Sequence, residues 1–96
     1  MGAEVFYTKS FGKTNQEAFK NAVADAHYDY GHNGYTGSIA EKDSFVMIDL
    51  PEGKDPKKYA DELIDADNPR INDKWGPAGC FYLGKKEYFF FGWASC

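Results

Sequence analysis

Near the end of the chain, Tyr88-Phe89-Phe90-Phe91-Gly92-Trp93 places five aromatic rings in six positions. Successive side chains of a strand leave on opposite faces. A strand here therefore carries Tyr88 and Phe90 on one face and Phe89, Phe91 and Trp93 on the other. Each ring buries about 150–250 Å², so such a strand requires a packed layer. The run reads as the second arm of a hairpin: Cys80 to Leu83, a Gly84-Lys85-Lys86 turn, then Glu87 to Ala94. One set of rings is expected to be core beneath helices. The other, if left uncovered, becomes a partner surface. The glycine and basic residues of single-stranded RNA-binding strands are not interleaved in the required order.

Two helices supply that layer. Thr14-x-x-Glu17 is a capping box. Phe19, Ala22, Val23, Ala26 and Tyr30 follow on one helical face, and Gly31 is a C-cap, so a helix is predicted over 15–30. Asp55-Pro56 supplies an N-cap and N1 proline. Tyr59, Ala60, Leu63 and Ile64 continue as an apolar stripe, predicting a helix over 56–66 that Asn68-Pro69 stops. Lys57–Asp61 and Lys58–Glu62 are spaced for ion pairs on it. Ala3 to Ser10 and Ser44 to Leu50 read as strands, and Tyr35 to Ala40 as a short one. The order is β-α-β-β-α-β-β. The expected fold is α+β, a two-layer sandwich with both helices on one face of a mainly antiparallel sheet.

Ninety-six residues suit a single domain, 1–96, with 43% hydrophobic residues for its core. Eleven basic against 15 acidic residues leave a net charge of −4. The basic residues are dispersed and include one arginine, Arg70, which argues against nucleic acid as partner. No run approaches the roughly 18 apolar residues of a membrane span, and the N-terminus lacks a secretory pattern. A cytoplasmic setting is expected, with Cys80 and Cys96 as free thiols.

Chemistry-bearing motifs are sparse. Gly12-Lys13-Thr14 has Tyr7 where a phosphate loop needs its first glycine, so Thr14 reads as a helix cap. Asp25, Asp29 and His32 share helical spacing, but the aspartates fall beside the apolar stripe, toward solvent. No Cys-x-x-Cys or His-x-x-x-His pair points to zinc. Cys80, in a strand, reads as a buried thiol rather than a nucleophile. No catalytic residue, metal or cofactor is assigned. The unusual stretch is Gly31-His32-Asn33-Gly34-Tyr35-Thr36-Gly37-Ser38, whose three-residue glycine spacing exceeds what a helix cap needs. With the loop holding Trp75-Gly76-Pro77 it forms the candidate binding surface: His32, Tyr35, Thr36, Lys42, Lys74 and Trp75.

At Gly34-Tyr35-Thr36-Gly37-Ser38-Ile39-Ala40-Glu41-Lys42 and Asn72-Asp73-Lys74-Trp75-Gly76-Pro77-Ala78-Gly79-Cys80 the chain resembles small uncharacterised proteins of tailed bacteriophages. The resemblance implies the infected host cytoplasm as a setting, and an accessory protein that acts by binding a host component. The expected function is thus non-enzymatic binding, of a host protein or a second copy, through the loops or an outer aromatic face. The alternatives are a small-ligand or nucleotide binder using loop 31–42 and a metal-dependent hydrolase using Asp25, Asp29 and His32.

Overall fold

The computed structural model of the protein describes residues 2–30 and 37–95. Strand β1 (Ala3–Phe11) leads into helix α1 (Asn15–Tyr30), a 3-10 turn at Ile39–Glu41, strand β2 (Phe45–Met47), helix α2 (Pro56–Asp65) and the hairpin β3 (Ala78–Gly84) and β4 (Glu87–Ser95). The α+β class, the two helices and the mainly antiparallel sheet are as expected. Strand order is β1-β4-β3-β2, antiparallel except where β2 runs parallel to β3.

The helix termini follow their local chemistry. Thr14 Oγ1 accepts from Glu17 N at 3.1 Å, and Glu17 Oε1 reaches back to Lys13 N at 3.4 Å. Asp55 accepts from Lys58 N at 3.1 Å, with Pro56 in the first turn. Helix α2 closes in a Schellman motif: Asn68 N donates to Leu63 O, Asp67 N donates to Ile64 O, and Asp67 adopts φ 54°. Lys57 pairs with Asp61 at 3.5 Å as its spacing predicts. Glu62 pairs with Lys54 at 3.1 Å instead of Lys58, because the loop before the helix carries Lys54 to it.

The layering differs from the expected sandwich. Ala18, Ala22 and Ala26 of α1 pack with Phe6, Cys80, Tyr88, Phe90 and Ala94. Ala60, Leu63 and Ile64 of α2 pack with Ile48, Ile71, Phe81, Phe89 and Phe91. Even and odd residues of β4 thus serve separate cores, and the helices lie on opposite faces of the sheet. Phe90 meets Phe19 and Phe45 edge-on, at 5.5 and 5.7 Å between ring centroids. On the other side Phe81 stacks on Tyr59 at 5.5 Å. The outer aromatic face expected as a partner surface is therefore absent: Tyr88, Phe89, Phe90 and Phe91 are all buried.

Two expected strands change. Ser44 to Leu50 yields only Phe45–Met47 as strand. Of the stretch Tyr35 to Ala40, Tyr35 and Thr36 lie outside the described residues; Gly37 and Ser38 form a bend into the 3-10 turn. The hairpin turn is as read, and it is strained. Lys85 and Lys86 take φ 53° and 64°, the left-handed pair of a type I′ turn that favours Asn-Gly. Lys86→Gly is expected to stabilise the domain by about 0.5–1 kcal/mol, since the left-handed conformation costs a side-chain-bearing residue roughly 1–2 kcal/mol and glycine's greater unfolded freedom offsets part of the gain. Urea unfolding measures it. Among the described residues no helix is long and apolar enough to cross a membrane.

Candidate functional site

The site is built on a short turn. Ser38 caps the 3-10 helix, its Oγ accepting from Ala40 N at 3.2 Å. Gly37 takes φ 68°, and its N–H donates to Ser95 O at 2.7 Å, tying the turn to the end of β4. That positive φ explains the third glycine of the spacing without a ligand. Lys42 N donates to Ile39 O at 2.9 Å and ends the turn.

The Lys42 side chain turns inward. The residue is 3% exposed. Its Nζ donates to the carbonyls of Gly76 at 2.8 Å, Lys74 at 3.2 Å and Asp73 at 3.3 Å. An ammonium has three donors and no acceptor, and all three are taken by one loop. Burial holds its pKa below the ordinary 10.5, partly opposed by the Asp73 carboxylate. The sequence places Lys42 on an accessible surface; the structure places it beneath, where its flexible stem reaches three carbonyls of one loop.

Those contacts shape the receiving loop. Asp73 Oδ1 accepts from Trp75 N and Asp73 O accepts from Gly76 N, each at 2.9 Å. The chain turns tightly over Lys42, and Trp75 projects from its crest, 58% exposed. Lys74 Nζ lies 5.4 Å from the Trp75 ring centroid and donates to Gly2 O at 3.3 Å. The structure thus brings together Lys42, Lys74 and Trp75, from loops that the sequence left unconnected. His32, Tyr35 and Thr36 lie outside the described residues. Asp73, the residue that organises the loop, was not read as part of the site; an Asp two residues before an exposed aromatic is the signal of a side-chain-capped turn.

Other candidates resolve simply. Cys80 is a free, buried thiol whose pKa burial pushes to about 12, leaving no thiolate near neutrality. Cys96 lies outside the described residues. Asp25 and Asp29 are exposed, as read, while His32 lies outside the described residues. Among the described residues no three His, Cys, Asp or Glu side chains converge as a metal set. Tyr7 donates to Asp61 and locks β1 to α2; burial, then that bond and the charges of Asp61 and Asp65, raise its phenol to about 12.

A groove of about 390 Å³ runs between β1 and α1. Glu4, Asp25 and Asp29 line it, together with Phe6, Thr8 and Ala22. Glu4 was not read as a site residue, since only the pairing of β1 in the sheet brings it opposite α1. The chain matches no known protein family, no curated protein and no solved structure.

Proposed function

We infer that this is a non-enzymatic binding module, an accessory protein of the phage type it resembles, which engages a host component through the Trp75 loop. The supporting observation is the Lys42 clamp. Three charge-assisted bonds hold residues 73–76 in one conformation. A large exposed ring on a pre-organised turn loses little entropy on binding, and Trp is prominent among the residues that dominate interface energies. In this reading Trp75 touches the partner, Lys74 flanks it, and Lys42 is a positioning residue. The Lys42 donors are occupied by carbonyls, which weighs against the alternative in which it binds a nucleotide or other anion.

The test is affinity capture from bacterial host lysate with the wild-type chain and Trp75→Ala. Expected is a partner enriched by the wild type and lost by about tenfold or more with the variant, equivalent to about 1.4 kcal/mol or more. The thermal midpoint should be nearly unchanged, because exposed substitutions usually alter stability by within about 0.5 kcal/mol. Equal capture by both proteins would remove Trp75 from the interface.

A further inference from the structure

The outer edge of β1 is open among the described residues, and hydrogen-bond alternation identifies the groups it offers. Ala78 N donates to Ser44 O, and Ile48 N to Cys80 O. Even residues of β3 therefore face β2, so Gly79 and Phe81 bond to Phe91 and Phe89 of β4. The even residues of β4 then bond to the even residues of β1. That leaves the N–H and C=O groups of Val5, Tyr7 and Lys9 directed away from the sheet. Two further bonds agree with this parity. Gly12 N donates inward to Lys86 O, and Phe11 O, outward, accepts from Asn21 Nδ2 at 2.9 Å.

We propose that β1 accepts an extended basic peptide segment as a fifth strand, with Lys or Arg at alternate positions in the acidic groove beneath α1. Charge selects the occupant. Glu4, Asp25 and Asp29 line the groove and have no ion-pair partner among the described residues. Side chains of an added strand alternate between faces. Those on the α1 face meet the carboxylates, whereas those between them meet Val5 and Tyr7. A second copy fits less well. Cross-strand partners share a face, and Lys9, the cation of β1, lies on the opposite face from Glu4. A paired β1 would bring no positive charge to the groove. Nine residues of edge strand are ample for the ladder, and main-chain bonds with alternate side-chain pockets are the usual currency of strand addition.

The probe is a capped heptapeptide, Thr-Lys-Val-Lys-Val-Lys-Thr, titrated calorimetrically into the full chain. Its controls are the Glu-for-Lys peptide and an equally charged peptide with Pro for both Val residues, which cannot complete the ladder. Binding is expected only for the first, weakened about tenfold or more by Asp25→Asn with Asp29→Asn, and lost in Lys9→Pro. That proline removes an outward N–H and leaves the β1–β4 bonds intact. Amide exchange gives a second measurement on the unmodified chain: the peptide should slow Val5, Tyr7 and Lys9 about tenfold and leave Phe6 and Thr8 unchanged. Equal binding of the proline peptide, unchanged exchange at the odd amides, or a dimer that Lys9→Pro converts to monomer would each overturn the proposal.

Discussion

Replacing Gly79 by alanine is expected to destabilise the domain by about 3 kcal/mol, the upper part of the range for overpacking a filled core. A β-carbon at Gly79 would lie 2.4 Å from Cζ of Phe91 and 2.8 Å from both Cε atoms. That ring cannot step aside. It is fully buried, faces Gly79 across the ladder, and sits 4.6 Å from the centroid of Phe81. Gly79 is thus the floor on which Phe91 lies, and any side chain there displaces the centre of the α2-side core. For a domain of this length the midpoint should fall by about 12–24 °C. Calorimetric melting measures the shift. A loss under about 1 kcal/mol would show that the ring can relocate at low cost.

Lys42→Met should cost a similar amount, about 3 kcal/mol, since bonds from a charged donor contribute roughly 1.5–3 kcal/mol each and water can reach part of the vacated loop. The methionine keeps the apolar stem and removes the ammonium. Three carbonyls then lose their bond to Nζ, of which that of Asp73 keeps Gly76 N as a donor. The pH dependence carries a sign. Burial lowers the pKa of Lys42 in the folded chain below 10.5. Between the lowered value and 10.5 the unfolded chain binds more protons, so the contribution of this group to stability increases as pH rises through that window. Urea titrations of wild type and Lys42→Met at several pH values below 10.5 should show this rise only in the wild type. If the variant also loses partner capture, Trp75→Ala separates the causes, because it leaves the clamp in place.

Locally coded features were legible in the residues themselves. Helix α1 spans Asn15–Tyr30 as predicted, and α2 starts at Pro56. Caps and i, i+4 neighbours act within one or two turns, so their partners are adjacent in sequence. The strand expected over Ser44 to Leu50 is longer than β2 because Val46, Ile48 and Leu50 alternate whether or not a neighbour extends the ladder; Ile48 is buried and Leu50 half-buried without being strand. The site was half legible. Trp75 and Lys74 stand in a loop with obvious turn residues. The partners of the Lys42 ammonium lie 31 to 34 residues away, and nothing near Lys42 in the chain announces them.

The aromatic run of β4 by itself determined that a central strand must be covered, and the two capping signatures determined which segments cover it. Only the tertiary structure decided that they do so from opposite sides. The strands β1, β2 and β3 are mutually parallel, and the order β1-β4-β3-β2 puts β1 and β2 at the two edges. Helix α1 lies on the connection from β1 across to β2, and α2 on the return to β3. Parallel crossovers are right-handed in about 98% of cases. Two crossovers of one hand that travel in opposite directions along a sheet must pass over opposite faces. Hence Phe90 packs under α1 and Phe89 and Phe91 under α2. Strand order is a property of long-range pairing, which periodicity and capping residues do not encode.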